Sequence, residues 1–256
     1  MKYRLDLHVH SQASPDGRMT LAQIAERAKR RGVDAVAICD HNRCPEQALF
    51  APVTIDGVLF IPSVEYSTEA GHLLGLFLER PCRVSGEEQG RVLFFEAAAA
   101  IHEAGGLCVL AHPYELTNRS ISEISQAISR QAPLLDGIEI FNCRATKKRR
   151  QANALAAEAA KGLNPTLLRS AGSDAHTPRE VGRAWVCVEA NALSLPELRA
   201  ALANPLDFSC GKCPHMSIAR SQLTHIYKDR KGPVAYAKWL VLVAVCALRA
   251  LKGVFL

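Results

Sequence analysis

Leu5-Asp6-Leu7-His8-Val9-His10-Ser11-Gln12-Ala13-Ser14-Pro15-Asp16-Gly17 joins a short apolar strand to three side chains of the kind that bind metals. His8 and His10 close the strand-like run 3–7. Side chains at i and i+2 share one strand face, so both rings can reach one ion. Asp16 follows in a Pro-Asp-Gly turn that lets the chain fold back. The arrangement then recurs. Asp40 and His41 end the apolar run 33–39, Glu65 follows 58–61, His112 ends 107–111, and Asp174 and His176 follow 167–171. His72, in Gly71-His72-Leu73-Leu74-Gly75, opens a strand instead of closing one. Taken singly, each fragment is an ordinary turn or cap. Five fragments in five strand-end contexts are not independent accidents. Imidazole and carboxylate suit divalent transition metals, and one ion takes three or four protein ligands, so this set is large enough for two or three.

The apolar runs alternate with helical segments. Thr20-Leu21-Ala22-Gln23 is a capping box opening a helix to Arg31, with Gly32 as its stop. Further helices are expected over about 92–104, from Ser120 or Ser122 through Ile128, from Thr146 to Lys161, and from a Ser194 cap to Asn204. Strands are expected at 137–142 and 181–188, with an antiparallel excursion between 58 and 78. Repeated strand-then-helix order predicts an α/β fold with parallel strands. Because candidate ligands come from nearly every strand and must converge, a barrel of about seven or eight strands is favoured over an open sheet.

At 256 residues the chain fits one barrel, or a domain with an appendage. Residues 1–4 lead straight into a strand and lack the apolar core of a signal peptide. Cys39, Cys108 and Cys187 fall inside predicted strands, where cysteine acts as a small apolar residue. A reduced, cytoplasmic protein is expected. The net charge is +6, yet residues 211–256 hold eight Lys or Arg and one acid, Asp229. The chain thus divides into a near-neutral body, 1–210, and a basic, partly apolar tail, 211–256. The tail is either a solvated helix or a contact for nucleic acid or another anionic surface. Residues 239–248 are ten uninterrupted apolar residues, about half of what spans a bilayer, so no transmembrane segment is expected. Packing on the body, pairing with another subunit or lying in a membrane interface are the readings left open. Cys210-Gly211-Lys212-Cys213-Pro214-His215 resembles half a zinc site without its second ligand pair.

With these motifs the sequence resembles the PHP (polymerase and histidinol phosphatase) family of metal-dependent phosphoesterases over about residues 1–210. The resemblance rests on His8-Val9-His10-Ser11 with Pro15-Asp16-Gly17, Cys39-Asp40-His41-Asn42, Val64-Glu65-Tyr66-Ser67, Gly71-His72-Leu73-Leu74-Gly75, Ala111-His112-Pro113 and Gly172-Ser173-Asp174-Ala175-His176. It implies a distorted (β/α)7 barrel and a trinuclear metal centre. The first position would use His8, His10, Glu65 and Asp174. The second would use Glu65 as a bridge with His72 and His112, and the third Asp16, His41 and His176. Some members carry His where Asp16 stands. The Asp form resembles the branch acting on nucleotides and other small phosphate esters, and favours a harder ion such as Mn²⁺ at the third position.

The chemistry expected is hydrolysis of a phosphomonoester, nucleotide or phosphodiester by a hydroxide shared between two ions of Zn, Mn or Fe about 3.5–4 Å apart. Glu65, Asp174 and His176 are the expected catalytic residues. Arg43, Arg144 and Asn142 are placed at strand ends to meet substrate phosphate. Asp40 is a candidate acceptor for a ligand histidine. The helix-opening run Lys147-Lys148-Arg149-Arg150 is a solvated face or a steering patch. A metal-dependent amidohydrolase also begins with His-x-His after a first strand, but commonly bridges its ions with a modified lysine where this chain has Glu65. A non-catalytic module that binds nucleic acid or a partner should have lost ligands, and none of the nine positions is empty.

Overall fold

The computed structural model describes residues 1–45, 47–87, 92–115, 120–144, 147–163 and 166–251. Eleven strands are described: β1 (Lys2–Val9), β2 (Ala35–Ile38), β3 (Val53–Ile55), β4 (Val58–Pro62), β5 (Val64–Thr68), β6 (Gly71–Leu76), β7 (Leu107–Leu110), β8 (Gly137–Asn142), β9 (Leu168–Gly172), β10 (Ala184–Glu189) and β11 (Asp207–Cys210). The helices are α1 (Leu21–Arg30), α2 (Phe94–Glu103), α3 (Ile121–Gln131), α4 (Lys147–Gly162), α5 (Leu195–Ala201), α6 (His215–Lys228) and α7 (Pro233–Leu251).

The α/β class stands, but the strands among the described residues form two mixed sheets and no closed barrel. One sheet has the order β11-β10-β1-β2-β4-β3, the other β5-β6-β7-β8-β9. Parallel pairing runs through β1-β2-β4 and through β7-β8-β9. The ladder does not run unbroken round the ring because the free edges of β1 and β2 pair with β10 and β4, leaving, among the described residues, only the isolated bridges Val9–Ala175 and His41–Glu65 to the second sheet. β5 turns back onto β6 as an antiparallel hairpin, the excursion expected between 58 and 78. β10, the strand expected over 181–188, runs antiparallel to β1. Two seams still hold the sheets edge to edge. Asp174 N–H donates to His8 O at 2.7 Å and His10 N–H to Ala175 O at 2.9 Å; on the far side Asn42 N–H donates to Glu65 O at 2.8 Å. Both seams lie at strand ends that carry candidate ligands.

The inner faces of the two sheets share one core, in which Leu5 and Leu7 of β1 pack with Ile61, Leu74, Val109 and Val186. Helix α1 covers the outside of the first sheet through Ile24, Ala25 and Ala28. Helices α2 and α3 cover the second through Ala97, Ile101, Ile124 and Ile128. The Thr20 capping box is present, and Ser120 caps α3 reciprocally with Glu123. Ser194 sits at the cap position of α5 without a side-chain bond, and that helix ends at Ala201 rather than Asn204. Thr146, expected to open α4, lies outside the described residues, as do the side chains of the basic run after it.

The tail is two helices. Helix α6 packs on the body, and Cys213, Ser217, Ala219 and Ser221 are buried at its start and along its inner face. The ten-residue apolar run expected to be too short for a membrane is part of a longer element. Helix α7 has 19 residues and is long and apolar enough to cross a membrane by length and composition.

Candidate metal centre

Glu65 is fully buried at the start of β5, and five imidazoles meet its carboxylate. Oε2 lies 3.3 Å from His8 Nε2, 3.3 Å from His10 Nε2 and 3.0 Å from His41 Nδ1; Oε1 lies 2.8 Å from His72 Nδ1 and 3.2 Å from His112 Nε2. Asp174 Oδ1 joins from the opposite seam, 3.3 Å from His10 Nε2 and 3.8 Å from His8 Nε2. Beside this, His176 Nε2 and His41 Nε2 approach Asp16 Oδ2 at 2.8 and 3.8 Å. The nine residues named from the sequence therefore gather in one place. His8 and His10 are fully buried, whereas Asp16, His41 and His72 are 20%, 20% and 30% exposed, so the Asp16–His41–His72 side is the mouth.

The backbone is bent to achieve this. Asn42, His112 and Asp174 have φ of +48°, +24° and +53°, a region that costs a non-glycine residue about 1–3 kcal/mol and clusters at functional sites. Gly172 is required for a different reason. A Cβ there would collide with the His8 side chain, so only glycine lets β9 pass close enough for Asp174 to reach the histidines.

Two further carboxylates were not read from the sequence. Glu139, buried on β8, accepts from His8 Nδ1 at 3.0 Å and from the His112 backbone N–H at 2.9 Å. Glu115 Oε2 lies 3.0 Å from His112 Nδ1. Each holds one ring nitrogen and so aims the other, Nε2, at Glu65. His176 is aimed likewise. Its Nδ1 faces the Asp174 backbone carbonyl at 2.9 Å; a carbonyl only accepts, so Nε2 is the free nitrogen toward Asp16. The signal for Glu139 was a lone acid inside an apolar strand, Gly137-Ile138-Glu139-Ile140.

Several sequence expectations change role. Asp40 holds no histidine; both its oxygens accept from Ser11, from N–H and Oγ–H at 2.7 Å each, pinning the loop after His10. Arg144 is not an open cation at the mouth. It is buried, and Nε donates to Glu180 Oε1 at 2.9 Å while Nη2 donates to Ser221 Oγ at 3.0 Å. Asn142 is buried too, its amide donating to Glu139 at 3.1 Å and Asp174 at 3.3 Å, so it orients carboxylates. Arg43 alone of the three is exposed, on the loop that follows His41.

The tail reaches this site. Lys228, the last residue of α6, donates from Nζ to three backbone carbonyls of the Asp16 loop, Gln12 at 2.8 Å, Ser14 at 2.6 Å and Gly17 at 2.8 Å. Ser14 Oγ in turn donates to Asp16 Oδ1 at 3.0 Å.

Do these residues fit divalent ions? His8 Nε2, His10 Nε2, His41 Nδ1, His176 Nε2 and Glu65 Oε2 are buried and lack a hydrogen-bond partner despite the short distances. Buried polar atoms are normally bonded, so atoms crowded at 3 Å but not aligned with one another point at a common third body. The groups close enough to share an ion include His8–His10–Glu65, His41–Glu65–His72 and His10–Asp16–His41–His176. Among the described residues every such group lies here; Cys210, Cys213 and His215 contribute to none. The residues fit.

Protonation without ions is mixed. Burial disfavours charge on His10, and its neighbours His176 and His41 add to this, lowering it to about 3. Burial opposes protonation of His112 as well, but Glu115 and Glu65 outweigh it and raise it to about 10. His8 is likewise raised against burial by Glu65, Glu139 and Asp174. Burial also works against charge on Glu65, yet His41, His8 and His72 hold it well below the usual carboxylate range. Without ions the neighbouring carboxylates thus favour the protonated form of His8 and His112, whereas burial favours neutral His10. A ligating ring must be neutral, so cation binding at pH 7 should expel protons and tighten as pH rises. Calorimetric titration in two buffers of different ionisation enthalpy measures this; heats independent of buffer would contradict it.

Comparison with known proteins agrees with the geometry. Residues 6–131 match the model of the PHP domain, and residues 150–204 the model called PHP-associated. An uncharacterised protein of Methanocaldococcus jannaschii is 29% identical over 185 residues, 72% of this chain and 69% of its own. A 5'-3' exoribonuclease of Haemophilus influenzae is 25% identical, over 70% of this chain and 92% of its own length. Among solved structures, a two-domain protein from Bacteroides vulgatus containing a predicted PHP-like metal-dependent phosphoesterase matches with a TM-score of 0.56 at 21% identity, over 80% of this chain and 63% of the other. This chain therefore spans less than two thirds of that protein, and the likeness is one of fold.

Proposed function

The chain belongs to the PHP family, and on that footing we propose that it is a metal-dependent hydrolase of phosphate esters, acting on a small phosphomonoester or nucleotide. The observation that carries this reading is Glu65, one buried carboxylate facing five imidazoles through both oxygens. A single carboxylate so surrounded is suited to bridge two cations. His8, His10 and Asp174 would complete one position, and His72 and His112 the other. Asp16, His41 and His176 would make a third at the mouth. Divalent Zn, Mn or Fe at such positions supplies Lewis acidity and water acidified to near neutral pH.

The remaining work falls to the protein. Glu139, Glu115 and Asn142 lock the ligand rings and carboxylates in place. Arg43, exposed on the loop after His41, is the candidate for substrate phosphate, whose oxygens a guanidinium suits. Next to His72 and His112 lies a cavity of about 420 Å³, with Thr68, Gly71, Ile124 and Gln131 on its walls. Its mixed, half-apolar lining suits an uncharged leaving group such as a nucleoside. The likeness to a 5'-3' exoribonuclease keeps phosphodiesters of RNA beside nucleotides among the classes to test first. Metal analysis of the purified protein, followed by a screen for phosphate released from nucleotides and sugar phosphates and for alcohol released from phosphodiesters, decides it. A metal-loaded protein that hydrolyses none of these would end the proposal.

We take residues 1–210 as the catalytic body and read α6 as a brace on it. Lys228→Met removes three charge-assisted bonds to the Asp16 loop, so the third position should weaken by about 10–100-fold, the range for partners that orient ligands. Hydrogen exchange at 12–17 should quicken in the ion-free variant. Unchanged exchange would show that Lys228 merely decorates the loop. Asp16→Ala should cut activity yet leave ions at the first two positions; loss of all metal would contradict the partition into three.

A further inference from the structure

Helix α7 lies outside everything assigned so far, and the body covers little of it. Only Cys246 is buried. Val234, Leu240, Val241, Leu248 and Leu251 are each more than half exposed. A long apolar helix is commonly the central helix of a soluble core or an amino-terminal signal; this one is neither buried nor near the start. One narrow side of α7 rests on α6, where Trp239 Nε1–H donates to Ala219 O at 2.7 Å. At helical spacing, Val234, Val241, Val245 and Leu248 fall on the outward side, with Leu240 and Leu251 beside them. Lys238 and Arg249, both exposed, fall together on one border of that apolar arc.

A patch this large on an outer surface calls for a partner, and charge selects which. Residues 211–256 hold eight basic residues against Asp229. Asp229 is already paired within the tail, with Lys231 and His225 at 3.4 Å each. In a two-fold pair of chains the patch would meet itself, bringing Lys238 and Arg249 against like charges with no acid to answer them. Anionic phospholipid answers both features, acyl chains for the arc and headgroups for its basic border.

We propose that α7 is a membrane anchor, seated lengthwise in the surface of a bilayer bearing anionic headgroups, its α6-facing side still packed on the protein. The in-plane seat follows from that packing, because crossing the bilayer would strip α7 from α6.

The test is flotation of the full, metal-loaded chain with phosphatidylcholine vesicles made with or without phosphatidylglycerol. The full chain should float with the anionic vesicles, at least about tenfold more than with the neutral ones. Alkaline carbonate should release it. A variant carrying Val241→Glu, Val245→Glu and Leu248→Glu should stay at the bottom, with metal content and turnover of a small ester unchanged. Three results would overturn the proposal. The full chain could fail to float with either vesicle. It could form a dimer in solution that the triple variant abolishes, which would make a second copy the partner. It could resist carbonate, which would place α7 across the bilayer.

Discussion

Glu65→Ala should lower hydrolysis of every phosphate ester by more than about 10³-fold, beyond the 10²–10³ that one charge-stabilising donor is worth. The reason is that Glu65 serves five rings at once. Its loss separates the first and second positions and leaves His8 and His112 facing each other with less anionic charge between them. Metal content should fall at both positions. The substitution opens space in a site already built of polar groups, so the fold should survive, which circular dichroism and the melting temperature would check. A variant that keeps its metals and wild-type turnover would dismiss Glu65 as the bridge.

Glu180→Ala should be the most damaging single change to stability. Glu180 is fully buried; Oε1 takes the Arg144 guanidinium, and Oε2 accepts from the His176 and Thr177 backbone N–H groups at 3.0 and 2.8 Å. Burial disfavours the charge on Arg144, but Glu180 outweighs it and raises the pKa above the usual arginine value. Removing one partner of a buried pair leaves the other charge uncompensated, which costs about 3–5 kcal/mol. For a chain of this size that is a melting temperature lower by roughly 10 °C. Arg144→Met combined with Glu180→Met should recover part of the loss, since an apolar pair leaves no stranded charge. Calorimetry of the two single variants and the pair reads the coupling. A single variant within 1 °C of the parent would mean that the pair is solvated in solution.

Most of the candidate ligands were legible because they sit where an apolar run stops, a boundary that composition marks; His72, which opens β6, and Asp16, in a turn, were carried by the family motifs instead. Glu139 was not legible, because it stands inside β8 with isoleucine on either side, and only the inward direction of the strand reveals it. Lys228 was invisible for a stricter reason. Its acceptors are the carbonyls of Gln12, Ser14 and Gly17, and backbone atoms leave no trace in side-chain identity. Periodicity named most strands but not their partners. The antiparallel turn of β5 onto β6 was expected, but that β10 runs antiparallel beside β1 depends on which edges meet after collapse. Arg144 was misplaced because a strand-end arginine reads alike whether it faces solvent or a buried glutamate.

The Lys228 clasp on the Asp16 loop closes a chain separation of 216 residues between Lys228 and Gln12. Ribosomes add roughly 5–20 residues per second, so His8 and His10 emerge roughly ten to forty seconds before the residue that fastens the loop behind them. Asp174, too, arrives late in that interval. Well before it ends His41, Glu65, His72 and His112 have emerged too, so the growing chain offers an unfastened set of imidazoles and carboxylates, and imidazole by intrinsic affinity favours copper over zinc and zinc over manganese. An ion captured at that stage would be selected by what the cell keeps free in solution while the protein is being made, as much as by the finished coordination sphere.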